Sequence, residues 1–301
     1  MSQPTLPGPS VGNRVFEAIK PILPRRLRGD IPIVPVVRLT GIIGFSTPLK
    51  PGLTLAGIAR ALERAFSTRH ARAVALVINS PGGSPAQSHL IFRRIRQLAE
   101  EKGLRVIAFV EDVCASGGYM IACAADEIVC DMSSMVGSIG VVGGSFGFDK
   151  LMEKVGVERR LYTSGDRKAM LDPFLPEKPE DVKRLKQIQN EIHRAFISLV
   201  KDRRGAKLAG PEKTLFSGEY WTGSTAVELG IADAIGDIRS FLRERYGEEV
   251  LLPLVATERS FFGRRLRGIA SEPDLLAYPP GWAEDMVSAL EARALWSRYG
   301  L

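Results

Sequence analysis

Short apolar runs alternate with longer segments of helical periodicity along most of the chain. The runs are rich in valine and isoleucine and span residues 34–43, 73–79, 105–110 and 127–131. Runs of this length and composition predict buried strands. Between the second and third runs, residues 86–102 place Ile91, Ile95 and Leu98 at helical spacing. Strands that alternate with helices in this order imply right-handed crossovers and a largely parallel sheet, so the pattern predicts an α/β fold.

The second half of the chain continues the helical pattern and then changes in composition. Residues 181–204 carry apolar positions at steps of three and four, which predicts a long amphipathic helix. After about Gly247 the composition shifts, and a last amphipathic helix is predicted from Trp282 towards Trp296. The chain is therefore expected to contain a basic, Pro-rich N-terminal segment, a main domain and a C-terminal extension, at residues 1–30, 31–245 and 246–301.

The N-terminal segment combines five prolines with a basic cluster at Arg25, Arg26 and Arg28. This composition suits either a plain tail or a peripheral anchor at a membrane surface. The sequence contains no run of 18 apolar residues, so we expect no transmembrane span, and no secretory signal is recognisable. We expect a cytoplasmic protein, with peripheral contact to the cytoplasmic face of the membrane as the open alternative.

The formal net charge is +7, from 41 Lys and Arg against 34 Asp and Glu. The basic residues are scattered and accompany no zinc spacing, helix-turn-helix or RNA-binding motif, so we expect no nucleic-acid partner. The three cysteines, Cys114, Cys123 and Cys130, lie in apolar surroundings and form no CxxC pair. We interpret them as reduced core thiols, and we expect no metal or organic cofactor.

Three separated stretches could supply the groups that peptide hydrolysis needs, namely a nucleophile, a base and donors for the oxyanion. SPGGS (80–84) and ASGGY (115–119) each follow a predicted strand and precede a predicted helix. Ser116 would then be either a simple N-cap or a nucleophile whose neighbour Gly117 donates to the oxyanion. Lys168, in TSGDRKAM (163–170), could be the base only if it is partly buried or close to positive charge.

Competing nucleophiles and bases receive less support from the sequence. Cys114 lies two residues before Ser116, but no histidine between His89 and His193 could activate it. Neither His70 nor His89 has an obvious path to Ser116, and His193 lies off the apolar stripe of its helix, as a surface residue would. If Ser116 is the nucleophile, a lysine is therefore the best base available.

Four motifs in order, VINSPGGS, ASGGYMIACAAD, VGSIGVVGG and SGDRKAMLDP, closely resemble the signal peptide peptidase A (protease IV) family. The resemblance covers about residues 33–245. It implies Ser116 as nucleophile, Lys168 as general base and Ser138 as the serine that orients the lysine. It further implies Gly83 and Gly117 as the oxyanion donors, with Gly82 adjacent as a competitor for the first position.

The resemblance also implies a fold and a type of assembly. The fold is that of the Clp protease and crotonase superfamily, a spiral of strand-strand-helix units that forms homo-oligomers. Longer relatives combine a lysine and a serine from two similar halves, so a single-length chain could complete each site across a subunit boundary. The expected substrates are peptides, such as cleaved signal peptides and other apolar peptides.

The sequence departs from the family pattern in two respects, and two other functions are compatible with the same fold. Many members begin with a membrane anchor, which we do not expect in this chain, and many have an arginine where this chain has Ser224. A crotonase-like acyl-CoA enzyme and a catalytically inactive scaffold are the alternatives, because a shared fold does not fix function.

Overall fold

One sheet organises the molecule. The computed structural model describes residues 31–44, 52–165, 167–256 and 293–300. In this part of the chain, eight strands form the sheet, in the order β6-β5-β3-β2-β1-β8, with β4 paired to β3 and β7 paired to β4. The strands are β1 Val36–Thr40, β2 Ala73–Ser80, β3 Arg105–Ala115, β4 Glu127–Cys130, β5 Met135–Gly137, β6 Tyr220–Thr222, β7 Ala234–Ile235 and β8 Leu254–Val255.

All the strand pairs are parallel except β5 with β6, which confirms the predicted α/β class and the largely parallel sheet. β3 is longer than the apolar run that predicted it, because it continues through Glu111 and Asp112 to Ala115. Its first half pairs with β4 and its second half with β5. The carboxyl ends of β2, β3 and β5 therefore meet at one edge of the sheet, where parallel α/β folds place their sites.

Helices cover the sheet and begin close to the predicted positions. They are α1 Leu55–Phe66, α2 Pro85–Lys102, α3 Gly117–Ala122, α4 Asp149–Lys154, α5 Pro179–Arg204, α6 Glu212–Leu215, α7 Gly223–Glu228 and α8 Ile238–Tyr246. Side chains cap three of them, since Thr54, Ser84 and Asp237 accept hydrogen bonds from the first turns of α1, α2 and α8. Of the predicted last helix, residues 282–292 lie outside the described residues, and residues 293–297 are helical. The N-terminal segment, 1–30, also lies outside them.

The core lies on both faces of the sheet. On one face α1, α2 and α3 bury Leu62, Ile91 and Ile121 against alternate residues of β2 and β3. On the other face α8 buries Leu242. Because both faces are covered, β2 is buried along almost its whole length, and this explains why its sequence is continuously apolar rather than alternating.

Residues 141–178 stand apart from this core, and we call them the arm. α4, within the arm, buries none of its residues. The arm holds itself together through an ion pair between Arg159 and Asp172 at 2.9 Å and through stacking of Phe148 on Phe174. It leaves a series of large apolar side chains exposed: Val142, Phe146, Phe148, Leu151, Val155, Val157, Leu161 and Tyr162. Apolar surface of this extent is typical of a contact with another molecule.

A buried ion pair attaches the end of α5 to the sheet. The Arg204 side chain is 2% exposed, and its Nη1 lies 2.7 Å from Oδ2 of Asp233. Asp233 also accepts hydrogen bonds from the Ile128 N–H and from Nζ of Lys207. Burial raises the pKa of Asp233, but the hydrogen bonds from Arg204, Lys207 and Ile128 together outweigh burial and leave the pKa below its ordinary value.

Replacing Asp233 by asparagine should therefore destabilise the fold. The substitution leaves the Arg204 charge buried without a counter-charge, and we expect the free energy of unfolding to fall by about 3 kcal/mol in urea at neutral pH. Asp202→Asn, at an exposed position of the same helix, is the matched control and should change it by less than about 0.5 kcal/mol.

The pH dependence gives a second readout of the same pair. A carboxyl group with a lowered pKa stabilises the fold above its unfolded pKa, and this stabilisation is lost as the pH falls through the folded value. The difference between wild type and Asp233→Asn should therefore shrink below about pH 4. A difference that stays constant down to pH 2 would contradict the role of the charge.

Candidate active site

Ser116 lies where β3 ends and α3 begins, in an unusual backbone conformation. Its φ is 52° and its ψ is −119°. A serine rarely adopts positive φ, and such a conformation persists only where the surroundings hold it. Here the Ser116 N–H donates to the Gly137 carbonyl at 2.8 Å, and its carbonyl accepts from the Met120 N–H at 3.0 Å. The neighbouring strand and the first turn of α3 thus fix the serine at the edge of the sheet.

The Ser116 hydroxyl is not used as a helix cap. Its side chain makes no capping hydrogen bond to α3, although serine is a favoured N-cap residue. The residue is half-buried, in contrast to the fully buried residues on either side of it. The hydroxyl therefore remains available for chemistry, and the N-cap interpretation does not explain why a serine occupies this position.

Backbone N–H groups gather around Ser116 because two glycine turns pack against each other. A Cβ added to Gly82 would lie 2.8 Å from Ser116 Cβ and 3.0 Å from the Gly117 nitrogen. A Cβ added to Gly83, whose φ is 143°, would overlap the Ile43 carbonyl oxygen, and one added to Gly117 would overlap Oγ of Ser88. Glycine at position 82 therefore allows the two turns to approach closely, and glycines at 83 and 117 allow these turns to pack against Ile43 and Ser88.

The hydrogen bonds distinguish the two candidate donors in the first turn. The Gly82 N–H donates to Oγ of Ser80 at 3.2 Å within the turn. Within the described residues, the N–H groups of Gly83 and Gly117 donate no hydrogen bond. Free N–H groups at a helix start can stabilise a negative charge. The geometry thus favours the N–H of Gly83 over that of Gly82 as the candidate oxyanion donor that would act together with Gly117.

Ser138 immediately follows β5, just as Ser116 immediately follows β3, and these two strands are paired. Gly137, the residue before it, pairs with Ala115, the residue before Ser116. Ser138 also has positive φ, 52°, and its N–H donates to the Glu219 carbonyl at 2.7 Å. Among the described residues, four that are not glycine have positive φ, and these two neighbouring serines are half of them.

Lys168 lies on an exposed turn of the arm. Its N–H donates to the Gly165 carbonyl at 3.1 Å, and the side chains of Lys168 and Arg167 are both exposed. Within the described part of the chain, no hydrogen bond or ion pair joins Lys168 to either serine. The single chain thus brings together four of the predicted site residues, Ser116, Ser138, Gly83 and Gly117. It leaves Lys168 exposed to solvent. The role of Lys168 stays a prediction.

A comparison with protein-family models decides the family. The model named "Peptidase family S49" matches residues 98–248, half of the chain, and this range includes Ser116, Ser138 and Lys168. The chain belongs to Peptidase family S49. The peptidase resemblance that the four motifs predicted is therefore confirmed.

Relatives of this S49 chain carry several names. The chain is 54% identical over 289 residues to a protein named Na(+)/H(+) antiporter NhaA of Brucella abortus. This alignment covers 94% of the present chain and 39% of the Brucella protein. It is 35% identical over 179 residues to the probable protease SohB of Buchnera aphidicola, covering 60% of this chain and 52% of that protein. It is 34% identical over 184 residues to the chloroplastic serine protease SPPA of Arabidopsis thaliana, and this alignment covers 59% of the present chain and 26% of the Arabidopsis protein. The chain thus spans about half or less of each of these three relatives.

The three cysteines of the S49 chain are buried free thiols, as predicted from their apolar surroundings. Burial raises the pKa of Cys114 well above its usual range, and the neighbouring Cys123 and Cys130 add to this effect. Burial likewise raises the pKa of Cys123 to about 12 and that of Cys130 to about 11. A thiol is a nucleophile only as thiolate, so Cys114 does not compete with Ser116 near neutral pH.

The structure also places two residues near the site that the sequence did not assign to it. His193 of α5 is half-buried, and its Nε2 lies 3.1 Å from the carbonyl oxygen of Ile139, the residue after Ser138. This corrects the expectation of a plain surface position. Tyr299, near the C-terminus, is 6% exposed and packs against Val113 and Ala115 of β3, the strand that leads to Ser116. Both contacts join residues far apart in the chain, which no local pattern reveals.

The described residues also form a groove away from the candidate site. A groove of about 570 Å³ lies between α8 and the sheet, lined by Val36, Phe109, Ile238 and others, and it contains none of the candidate site residues. Within the described ranges, no group of three or more His, Cys, Asp or Glu side chains is arranged to hold a metal ion. In the same residues, no helix combines the length and apolar character needed to cross a membrane.

Thiol reactivity tests the burial of the cysteines. At pH 8 we expect the folded chain to give no rapid reaction with a disulfide reagent, because all three thiols are buried and protonated. After unfolding in urea, all three thiols should react. Rapid reaction of one thiol in the folded chain, mapped to Cys114 by mass spectrometry, would reopen the possibility of a cysteine nucleophile.

Proposed function

We propose that this chain is a serine endopeptidase in which Ser116 is the nucleophile and Lys168 the general base. The observation that carries the proposal is the backbone at Ser116, which holds an uncapped hydroxyl beside two free N–H groups. A nucleophile at a sharp strand-to-helix turn, next to backbone donors, is a recurring arrangement in hydrolases. Membership of Peptidase family S49 supports peptides as the substrates.

The reaction would pass through an acyl-enzyme. Neutral Lys168 takes the Ser116 proton while Oγ attacks the peptide carbonyl carbon, and the N–H groups of Gly83 and Gly117 donate to the resulting oxyanion. When the C–N bond breaks, the lysine returns the proton to the leaving amine. The lysine then takes a proton from water, which attacks the ester and releases the second product.

Lys168 reaches the serine from a second copy of the chain in this proposal. The lysine is exposed on the arm, and the arm also exposes the apolar side chains that a subunit contact would cover. A lysine acts as a base only when it is neutral, and burial between subunits favours the neutral amine. A homo-oligomer would therefore both place Lys168 next to Ser116 and make it a base, with the Ser138 hydroxyl orienting its amine.

The substrates we propose are apolar peptides, such as signal-peptide remnants, and the resemblance to the signal peptide peptidase A family supports them. The proposed location is the cytoplasm, with peripheral contact at the cytoplasmic membrane face. The antiporter name belongs to relatives of which this chain spans 39%, and the proposal rests on the peptidase family instead.

Hydrolysis of a fluorogenic peptide panel tests the assignment. We expect wild type to cleave apolar peptides, and Ser116→Ala and Lys168→Ala to lose at least about 10³-fold in kcat because each removes a group that takes part in bond making. Lys154→Ala, an exposed lysine on the same arm, is the control and should keep wild-type activity. Near-normal rates in Lys168→Ala would place the base elsewhere, and a wild type that cleaves no peptide would favour the acyl-CoA or scaffold alternatives.

Mixed oligomers test whether the site is shared between subunits. A Ser116→Ala subunit still carries an intact lysine, and a Lys168→Ala subunit still carries an intact serine. Co-expression of the two inactive variants should restore about a quarter of the wild-type activity, because about one contact in four then pairs an intact serine with an intact lysine. Mixtures that form oligomers but remain inactive would indicate that each chain completes its own site.

A further inference from the structure

The turn that follows β5 holds Ser138 in a fixed backbone conformation. The Gly140 N–H donates to the Ser138 carbonyl at 2.9 Å, which closes a three-residue γ-turn around Ile139. The Ile139 side chain is fully buried in the main core, and the φ of Ser138 is 52°. A serine at positive φ needs neighbours that hold it there. The geometry of the turn therefore depends on its contacts.

Two other parts of the chain hold this turn. The segment before β6 provides a backbone contact, because the Ser138 N–H donates to the Glu219 carbonyl at 2.7 Å. Helix α5 provides a side chain, because Nε2 of His193 lies 3.1 Å from the Ile139 carbonyl oxygen. In the described part of the chain, His193 is the one side chain that hydrogen-bonds to a backbone atom of the turn.

His193 lies on the face of α5 that packs against the rest of the molecule. Phe196, three residues further on, lies on the same face and is 3% exposed. Gln189, one turn before His193, lies on this face too, and a Cβ added to Gly143 would lie 2.9 Å from the Gln189 Nε2. This face of α5 thus contacts both the turn and the first residues of the arm.

The hydrogen bond between His193 and Ile139 has a defined direction. A carbonyl oxygen only accepts, so Nε2 of the ring carries a proton and donates it to the bond. The neutral ring with its proton on Nε2 and the charged ring can both do this. A nitrogen that donates in this way has no free lone pair, so Nε2 is not a base for Ser116 in this arrangement.

We propose that His193 is a positioning residue that fixes the turn after β5 and thereby the direction of the Ser138 hydroxyl. The Ile139 carbonyl and the Gly140 N–H belong to one planar peptide group, so His193 holds the group that closes the γ-turn. The side-chain rotamers open to Ser138 depend on the backbone angles that this turn sets. The inference rests on the proposed Ser-Lys function, in which the Ser138 hydroxyl orients the amine of Lys168.

Two substitutions at His193 separate the hydrogen bond from the shape of the side chain. His193→Leu removes the donor, and we expect kcat to fall about 3- to 10-fold, the size of one lost hydrogen bond, with KM changed by less than about 2-fold. His193→Gln carries an amide N–H in place of the ring N–H and should keep kcat within about 2-fold of wild type. Asn190→Leu, at an exposed position one turn earlier on α5, is the matched control and should keep wild-type kcat.

A double-mutant cycle tests whether the effect of His193 acts through Ser138. In a Ser138→Ala background, His193→Leu should not further slow the labelling of Ser116 by a fluorophosphonate, because the hydroxyl that the turn orients is gone. Circular dichroism of each variant ensures that folded proteins are compared. If His193→Leu does not fold, His193→Gln still decides, because a fall of more than about 10-fold in this variant would overturn the inference.

Several other outcomes would also overturn the role of His193. These are an unchanged kcat in His193→Leu, equal losses in the two His193 variants, and a loss of the same size with and without the Ser138 hydroxyl. Losses as large as that of Ser116→Ala in both His193 variants would make the histidine itself the base. Activity that persists in Ser116→Ala would instead contradict the proposed function, so the two failures are distinguishable within one series.

Discussion

The close approach of two glycine turns at the carboxyl edge of the sheet is the constraint on which the candidate site depends. The turn after β2 and the turn after β3 touch through backbone atoms, and a side chain at Gly83 or Gly117 would collide with its surroundings. This contact, together with the hydrogen bond from Ser116 to the Gly137 carbonyl, holds the serine at positive φ. The same backbone that strains the serine thus supplies the free N–H groups around it. In the proposed mechanism, one packing arrangement would therefore provide both the nucleophile and its oxyanion donors.

The rest of the proposed chemistry lies outside this rigid edge. The core positions both serines and both donors, whereas the lysine is carried on an arm that buries little of its own apolar surface. In the proposed mechanism, such a division would leave a single chain without its general base and would couple activity to assembly. The C-terminal segment packs against β3 and β5, the strands that lead to the two serines. In this account, catalysis would require the arm of one chain to meet the pair of serines of another.

The sequence predicted the features that depend on local patterns. Apolar runs located β1 to β4, and the glycine motifs located the turns that hold Ser116 and Ser138. The sequence missed the last five residues of β3, because Glu111 and Asp112 interrupt the apolar run although pairing with β5 continues the strand. It also gave no sign of the short strands β5 to β8, whose pairing is entirely non-local. The contacts of His193 and Tyr299 were missed for the same reason, since each joins segments more than 50 residues apart.

Covalent labelling tests the central claim most directly. The full-length protein would be treated with a serine-directed fluorophosphonate and its peptides mapped by mass spectrometry. The account predicts a single adduct on Ser116, formed by wild type, absent in Ser116→Ala and slowed in Lys168→Ala because the lysine no longer removes the serine proton. An adduct on a different residue of a protein that hydrolyses peptides, or hydrolysis that persists in Ser116→Ala, would contradict it.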